Sequence, residues 1–156
     1  MSSKVSVLNR QDPVPVDRRK IGATARRILK ILGYEGYELT VVLVDDREIT
    51  RLNRQYFRRK RPTNVISFPL MDDSPVSLRS RNLGDVVISA ETARRDAEEI
   101  GKKAEEEILF LLIHGILHLA GFDHEGTKGE RLHMEAKEGE IFSWLKHPPY
   151  RKSSGR

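Results

Sequence analysis

The chain has 156 residues and no cysteine, which excludes disulfides and thiolate metal sites. Lysine and arginine total 28 against 23 aspartates and glutamates, a formal charge of +5 that suits a polyanionic partner but is weak evidence for one by itself. A chain of this length encloses one core, and neither the N-terminal stretch nor the apolar run at Ile108 has the form of a signal peptide or membrane span, so a soluble cytoplasmic protein with no membrane association is expected.

Lys4–Leu8 alternates as a short strand, which the Pro13 and Pro15 region breaks off. Asp17 is placed to cap a helix whose apolar positions Ile21, Ala25, Ile28, Leu29 and Leu32 keep helical spacing as far as Gly33. Glu38–Val44 is β-branched and apolar and predicts a buried strand. Asp45 and Glu48 have the spacing of a capping box and open a helix to about Tyr56, with Ile49 and Leu52 inward. Arg51, Arg54 and Arg58 fall on one stripe of that helix, and Arg59, Lys60 and Arg61 prolong the positive run; composition alone favours a solvated helix end for it. Val65–Phe68 and Leu83–Ser89 are strands on either side of a polar loop, Met71–Arg81, most simply joined as an antiparallel pair. Ser89 can cap a helix over Ala90–Ile100 that Gly101 closes. Gly129–Leu145 predicts a closing helix with Leu132, Ala136, Ile141 and Leu145 inward and His133 on the surface or behind the site. The expected fold is α/β: one domain over residues 1–147, with a four-stranded mixed sheet packed against a buried central helix, then a flexible tail over 148–156.

That central helix is the stretch Ile108–Ala120, where ten of thirteen residues are apolar and cover every side of a helical wheel. His114 and His118 interrupt it four residues apart, so their rings point the same way from successive turns. Gly121 ends the helix and the chain turns back through Phe122 and Asp123 to His124. The spacing His-x3-His-x5-His with its glycine turn is that of the extended zincin motif, in which three imidazoles hold one metal ion and leave a coordination position open. Zinc suits three nitrogen ligands in tetrahedral geometry. In a zincin peptidase the residue after the first histidine is the glutamate general base, but here it is Gly115.

HGILHLAGFDH resembles the signature of the YbeY family of bacterial metal-dependent endoribonucleases, matching His114, Gly115, Leu117, His118, Leu119, Gly121, Asp123 and His124, with Phe122 for the usual tyrosine. A second block is matched by Asn53, Tyr56, Pro62, Thr63, Asn64, Val65, Ser67, Phe68 and Pro69, with Ile66 for leucine and Asn64 for aspartate, and a third by GDVVIS within Leu83–Ser89. The resemblance implies one zinc ion per chain on His114, His118 and His124, with His114 central to catalysis. It also implies an endoribonuclease acting on single-stranded RNA in rRNA processing, including maturation of the 16S rRNA 3′ end, and in ribosome quality control. The expected partners are rRNA and the ribosome or its small subunit. Arg51, Arg54, Arg58, Arg59, Lys60 and Arg61 would then hold the RNA backbone. In the family an arginine follows the motif tyrosine and is linked to cleavage; here Phe57 follows Tyr56, so either Arg58 takes that role through a local shift of the helix end or the role is absent. Asp123 reads either as a carboxylate orienting a histidine ligand or as a turn residue. The nucleophile is either water or the RNA 2′-hydroxyl. Two other classes stay open: a metallopeptidase-like hydrolase using Glu125 as base, and a non-catalytic ribosome assembly factor whose zinc clips the loop to the helix.

Overall fold

Runs of β-branched residues take the extended form here and the amphipathic runs coil, because each then hides an apolar face. The computed structural model describes residues 3–57, 63–70, 81–122 and 126–146. In chain order its elements are β1 (Lys4–Asn9), α1 (Arg18–Ile31), β2 (Glu38–Val44), α2 (Asp46–Phe57), β3 (Val65–Pro69), β4 (Asn82–Ser89), α3 (Ala90–Glu99), α4 (Ala104–Leu119) and α5 (Lys128–Lys146). The sheet order is β1-β2-β4-β3, with β1, β2 and β4 parallel and β3 antiparallel on the edge beside β4. The expected single mixed sheet and the antiparallel pairing of β3 with β4 are both present.

Period-two alternation divides the sheet between two cores. Val86 and Ile88 face the larger one, shared with α1, α4 and α5, while Val87 between them faces a smaller one with Val44, Ile49 and Ile66 beneath α2. Helix α4 is surrounded as its composition predicts: Ile113, Ile116 and Leu117 have no exposed surface, and the helix touches β3, β4, α1, α3 and α5. It ends in a Schellman cap. Gly121 has φ +98°, its N–H donates to the His118 carbonyl at 3.0 Å, and the Phe122 N–H donates to the Leu117 carbonyl at 3.0 Å.

How close α4 lies to the sheet is decided at Gly115. A Cβ there would stand 2.5 Å from Val86 Cγ1 and 3.3 Å from Val65 Cγ2. The Ser67 hydroxyl donates to the Gly115 carbonyl at 2.8 Å, so the edge strand is also hydrogen-bonded to the helix.

Helices α2 and α3 are joined at their N-termini by exchanged carboxylates. Asp46 Oδ1 accepts from the hydroxyls of Ser89 at 2.7 Å and Thr92 at 2.5 Å, and Oδ2 accepts from Arg95 Nη1 at 2.5 Å. In return, Glu91 Oε1 accepts the Asp46 backbone N–H at 2.8 Å. Each acid thus sits at the positive end of the other helix. Only half of the predicted Asp45 capping box forms: Asp45 Oδ1 accepts the Glu48 N–H at 2.8 Å, but the Glu48 carboxylate turns outward to Arg51. A reciprocal box occurs instead at α5, where Thr127 and Glu130 bond each other's backbone N–H at 3.1 and 2.8 Å.

The inward face of α5 differs from the expected one. Leu132 is 54% exposed and Ala136 lies outward, whereas Met134, Glu138 and Ile141 are buried. Residues 134, 138 and 141 follow i, i+4, i+7 spacing and form one stripe, whereas 132 and 141, nine residues apart, point to opposite sides of a helix, so of the expected set Ile141 is buried and Leu132 and Ala136 are not.

Replacing Gly115 by alanine should lower stability by about 1–3 kcal/mol in urea unfolding, because overpacking against a rigid strand valine outweighs the gain of up to about 1 kcal/mol in helix propensity. Asp46 gives a pH prediction. Burial pushes its carboxyl up, but the hydrogen bonds from Thr92, Arg95 and Ser89 together outweigh burial and hold it below the usual carboxylate range. A depressed folded-state value means that the unfolded chain binds the proton more readily, so the contribution is complete above the ordinary value of about 3.9 and fades as pH falls through the folded one. Asp46→Asn should therefore cost roughly 1.5–3 kcal/mol at pH 7 and progressively less below pH 4, read as a narrowing gap between the two urea midpoints.

Candidate functional site

Because α4 packs through Gly115, the histidines on either side of it emerge where the helix meets the edge strand. Their rings stand 4.8 Å apart between centroids, and His114 Nε2 and His118 Nε2 are 3.2 Å from each other. Two nitrogens bound to one tetrahedral zinc at about 2.0–2.1 Å are necessarily about 3.3 Å apart. The predicted convergence of these two rings is therefore present, at a separation that one ion can bridge. Among the described residues, no group of three His, Cys, Asp or Glu side chains is arranged to hold a metal ion. His124, the third predicted ligand, lies outside the described residues, as do Asp123 and Glu125. The Schellman cap at Gly121 turns the chain immediately before them.

The pair opens onto a cleft of about 400 Å³. Asn53 and Phe57, one helical turn apart on α2, line it with Thr63, Asn64 and Ser67. No carboxylate, lysine or arginine lines it among the described residues. Phe57 thus occupies a wall of the histidine cleft, at the place where the family pattern has arginine. It packs against Phe68 at 6.2 Å between ring centroids, and Phe68 in turn meets Tyr56 edge to face at 5.1 Å.

Arg51 and Arg54 are on α2 as expected, but they line a different hollow, one shared with Arg10, Asp45, Asp46 and Glu48. The Arg51 guanidinium grips Glu48 through Nε at 3.1 Å and Nη2 at 2.6 Å, and donates to Gln55 at 3.0 Å. The hydrogen bond from Arg51 holds the Glu48 carboxyl below its usual range. The stripe therefore has its two described members together, away from the histidines. Arg58, Arg59, Lys60 and Arg61 lie outside the described residues. His133 is exposed, with its ring 5.1 Å from that of Phe122 and no part in the cleft.

One residue beside the histidines was missed in the sequence: Glu138. Its Oε2 meets His114 Nδ1, on the side of the ring opposite His118. At 6% exposure it is the one ionisable side chain among the buried residues described. Its signal was the spacing Met134, Glu138, Ile141, which places a carboxylate on an otherwise apolar face.

The family model described as "Endoribonuclease YbeY" matches residues 6–146. A relative from Geobacter metallireducens named "Endoribonuclease YbeY" is 48% identical over 143 residues, covering 91% of this chain and 95% of its own. One of the same name from Aquifex aeolicus is 41% identical, covering 83% of this chain and 85% of its own. The solution structure of TM1509 from Thermotoga maritima superposes with a TM-score of 0.60 at 26% identity, over 97% of this chain and 99% of that one. The chain therefore belongs to the YbeY endoribonuclease family.

Proposed function

We propose that this protein is a zinc-dependent endoribonuclease that cuts single-stranded RNA during rRNA processing, including maturation of the 16S rRNA 3′ end, and acts with the small ribosomal subunit in ribosome quality control in the cytoplasm. The observation that carries the reading is the meeting of two imidazole Nε2 atoms, 3.2 Å apart, at the floor of an open cleft in a chain of this family. His114 and His118 fit the ion as neutral nitrogen donors, and His124 is proposed as the third. Bound there, zinc supplies Lewis acidity towards a phosphoryl oxygen and makes water a usable nucleophile near neutral pH.

The chain's own residues supply the rest. Phe57 and Asn53 form one wall of the cleft, and Thr63 and Asn64 give it neutral polar groups that suit sugar and base edges. A recessed site of this kind admits a flexible strand more readily than a rigid duplex. Arg51 and Arg54 are proposed to hold phosphates further along the strand, with Arg58, Arg59, Lys60 and Arg61 following Phe57 in the chain. Arg58 remains our candidate for the family's arginine, and Asp123 for a carboxylate behind His124. The peptidase alternative would need Glu125, outside the described residues, as its base, because the usual place of that base is Gly115, which faces Val86 and has no room for a side chain. The family match favours the nuclease reading. No described helix is long and apolar enough to cross a membrane.

His118→Ala should fold as judged by circular dichroism, lose stoichiometric zinc in elemental analysis, and cut single-stranded RNA at least about a hundredfold more slowly, as loss of an activating metal requires. Wild-type protein that carries zinc and binds rRNA but cuts no single-stranded substrate, with ribosomal subunits present or absent, would leave only the assembly-factor role. Product ends decide the nucleophile, since a 2′,3′-cyclic phosphate marks attack by the 2′-hydroxyl and a 3′-hydroxyl with a 5′-phosphate marks attack by water. Arg54→Glu should weaken RNA binding evenly across sequences and reduce the slope of log K against log salt by about one.

A further inference from the structure

A carboxylate buried in an apolar setting is disfavoured unless a specific partner compensates it. Glu138 is in that position. Its neighbours on the inner face of α5, Met134 and Ile141, have no exposed surface, so an apolar side chain would suit residue 138 better on packing grounds. The partner it meets is His114 Nδ1. A carboxylate in its ionised form can only accept, and facing it the ring would carry its proton on Nδ1. A neutral imidazole with its proton on Nδ1 has its lone pair on Nε2, and that is the atom facing His118 across the cleft floor. Glu138 and His118 therefore engage opposite edges of one ring, from different helices.

We infer that Glu138 is a positioning residue: it fixes His114 in the Nδ1–H tautomer and holds the ring so that Nε2 presents its lone pair to the cleft. This rests on the zinc reading above for its purpose, although the tautomer itself exists with or without the ion. Carboxylates behind histidine ligands act in this way on ring orientation and on ligand basicity. The role explains why α5 keeps a charge at a core position, and it makes α5 part of the site although none of its residues lines the cleft.

Two measurements on the full chain test the assignment, with Glu138→Gln and Glu138→Leu as variants. The first is the ring tautomer of His114 in metal-free protein, read from long-range nitrogen–proton correlations of histidine-labelled samples. The second is zinc affinity from competition with a chromophoric chelator, with circular dichroism to confirm folding. Wild type should show a protonated Nδ1 on His114. Glu138→Leu should lose that preference and bind zinc up to about a hundredfold more weakly; Glu138→Gln keeps an acceptor oxygen, should retain the tautomer, and should lose about tenfold. A wild-type ring protonated on Nε2, or either folded variant binding zinc within about twofold of wild type, overturns the assignment, since second-sphere losses are at least about tenfold. If Glu138→Leu does not fold, the glutamine variant carries the test alone. Wild-type protein that binds no zinc removes the metal reading and this role with it, whereas wild-type zinc binding with unaffected variants removes only the role of Glu138.

Discussion

The contact on which the rest of the molecule depends is the close approach of α4 to the edge of the sheet at Gly115. Two valine side chains, from β3 and β4, fill the space a Cβ would need, and the helix carbonyl at that point is taken by Ser67. A larger residue would have to lift the helix or displace a strand methyl held in a stiff β-branched rotamer. The cleft follows from this seating, because the residues one before and three after the glycine are the histidines, carried to the junction of helix and edge strand. The glycine that separates this motif from a zincin peptidase is thus a packing requirement as well as a chemical difference.

The opposite wall is set by electrostatics. Helix α2 carries Asn53 and Phe57 into the cleft, and it is held beside α3 by carboxylates exchanged between the two N-termini. Glu91 satisfies a backbone donor at the start of α2, Asp46 takes the hydroxyls of Ser89 and Thr92 at the start of α3, and the two helices so meet at their N-termini. The basic residues on the other side of α2 are a different matter. Arg51 is exposed and committed to Glu48 and Gln55, so its charge contributes to the field of the surface more than to the cleft itself. Among the described residues, Arg51 and Arg54 thus line a different hollow of this helix–sheet unit from the one that the histidine pair opens onto.

Much of the fold was legible because its signals are local. A β-branched run marked β2, Asp17 and Ser89 marked helix starts through bonds to the third residue on, and a glycine marked the end of α4. The pair His114 and His118 was legible for the same reason, since helical spacing alone places residues four apart on one face. The inward face of α5 was only half legible: Met134, Glu138 and Ile141 keep i, i+4, i+7 spacing, but a carboxylate in the middle of a buried stripe becomes intelligible only with the imidazole Nδ1 that it meets on another helix. Nor did the arginine spacing on α2 reveal which side of that helix would face the histidines.

The sequence by itself therefore determined the elements, the central helix, and two nitrogen donors on one face, all of which depend on neighbours a few residues apart. Tertiary structure alone decided how near that helix lies to the sheet, which face of α2 lines the cleft, and which carboxylate stands behind His114. Those depend on residues tens of positions apart meeting at distances of a few ångströms, and no periodicity along a single chain encodes such a meeting.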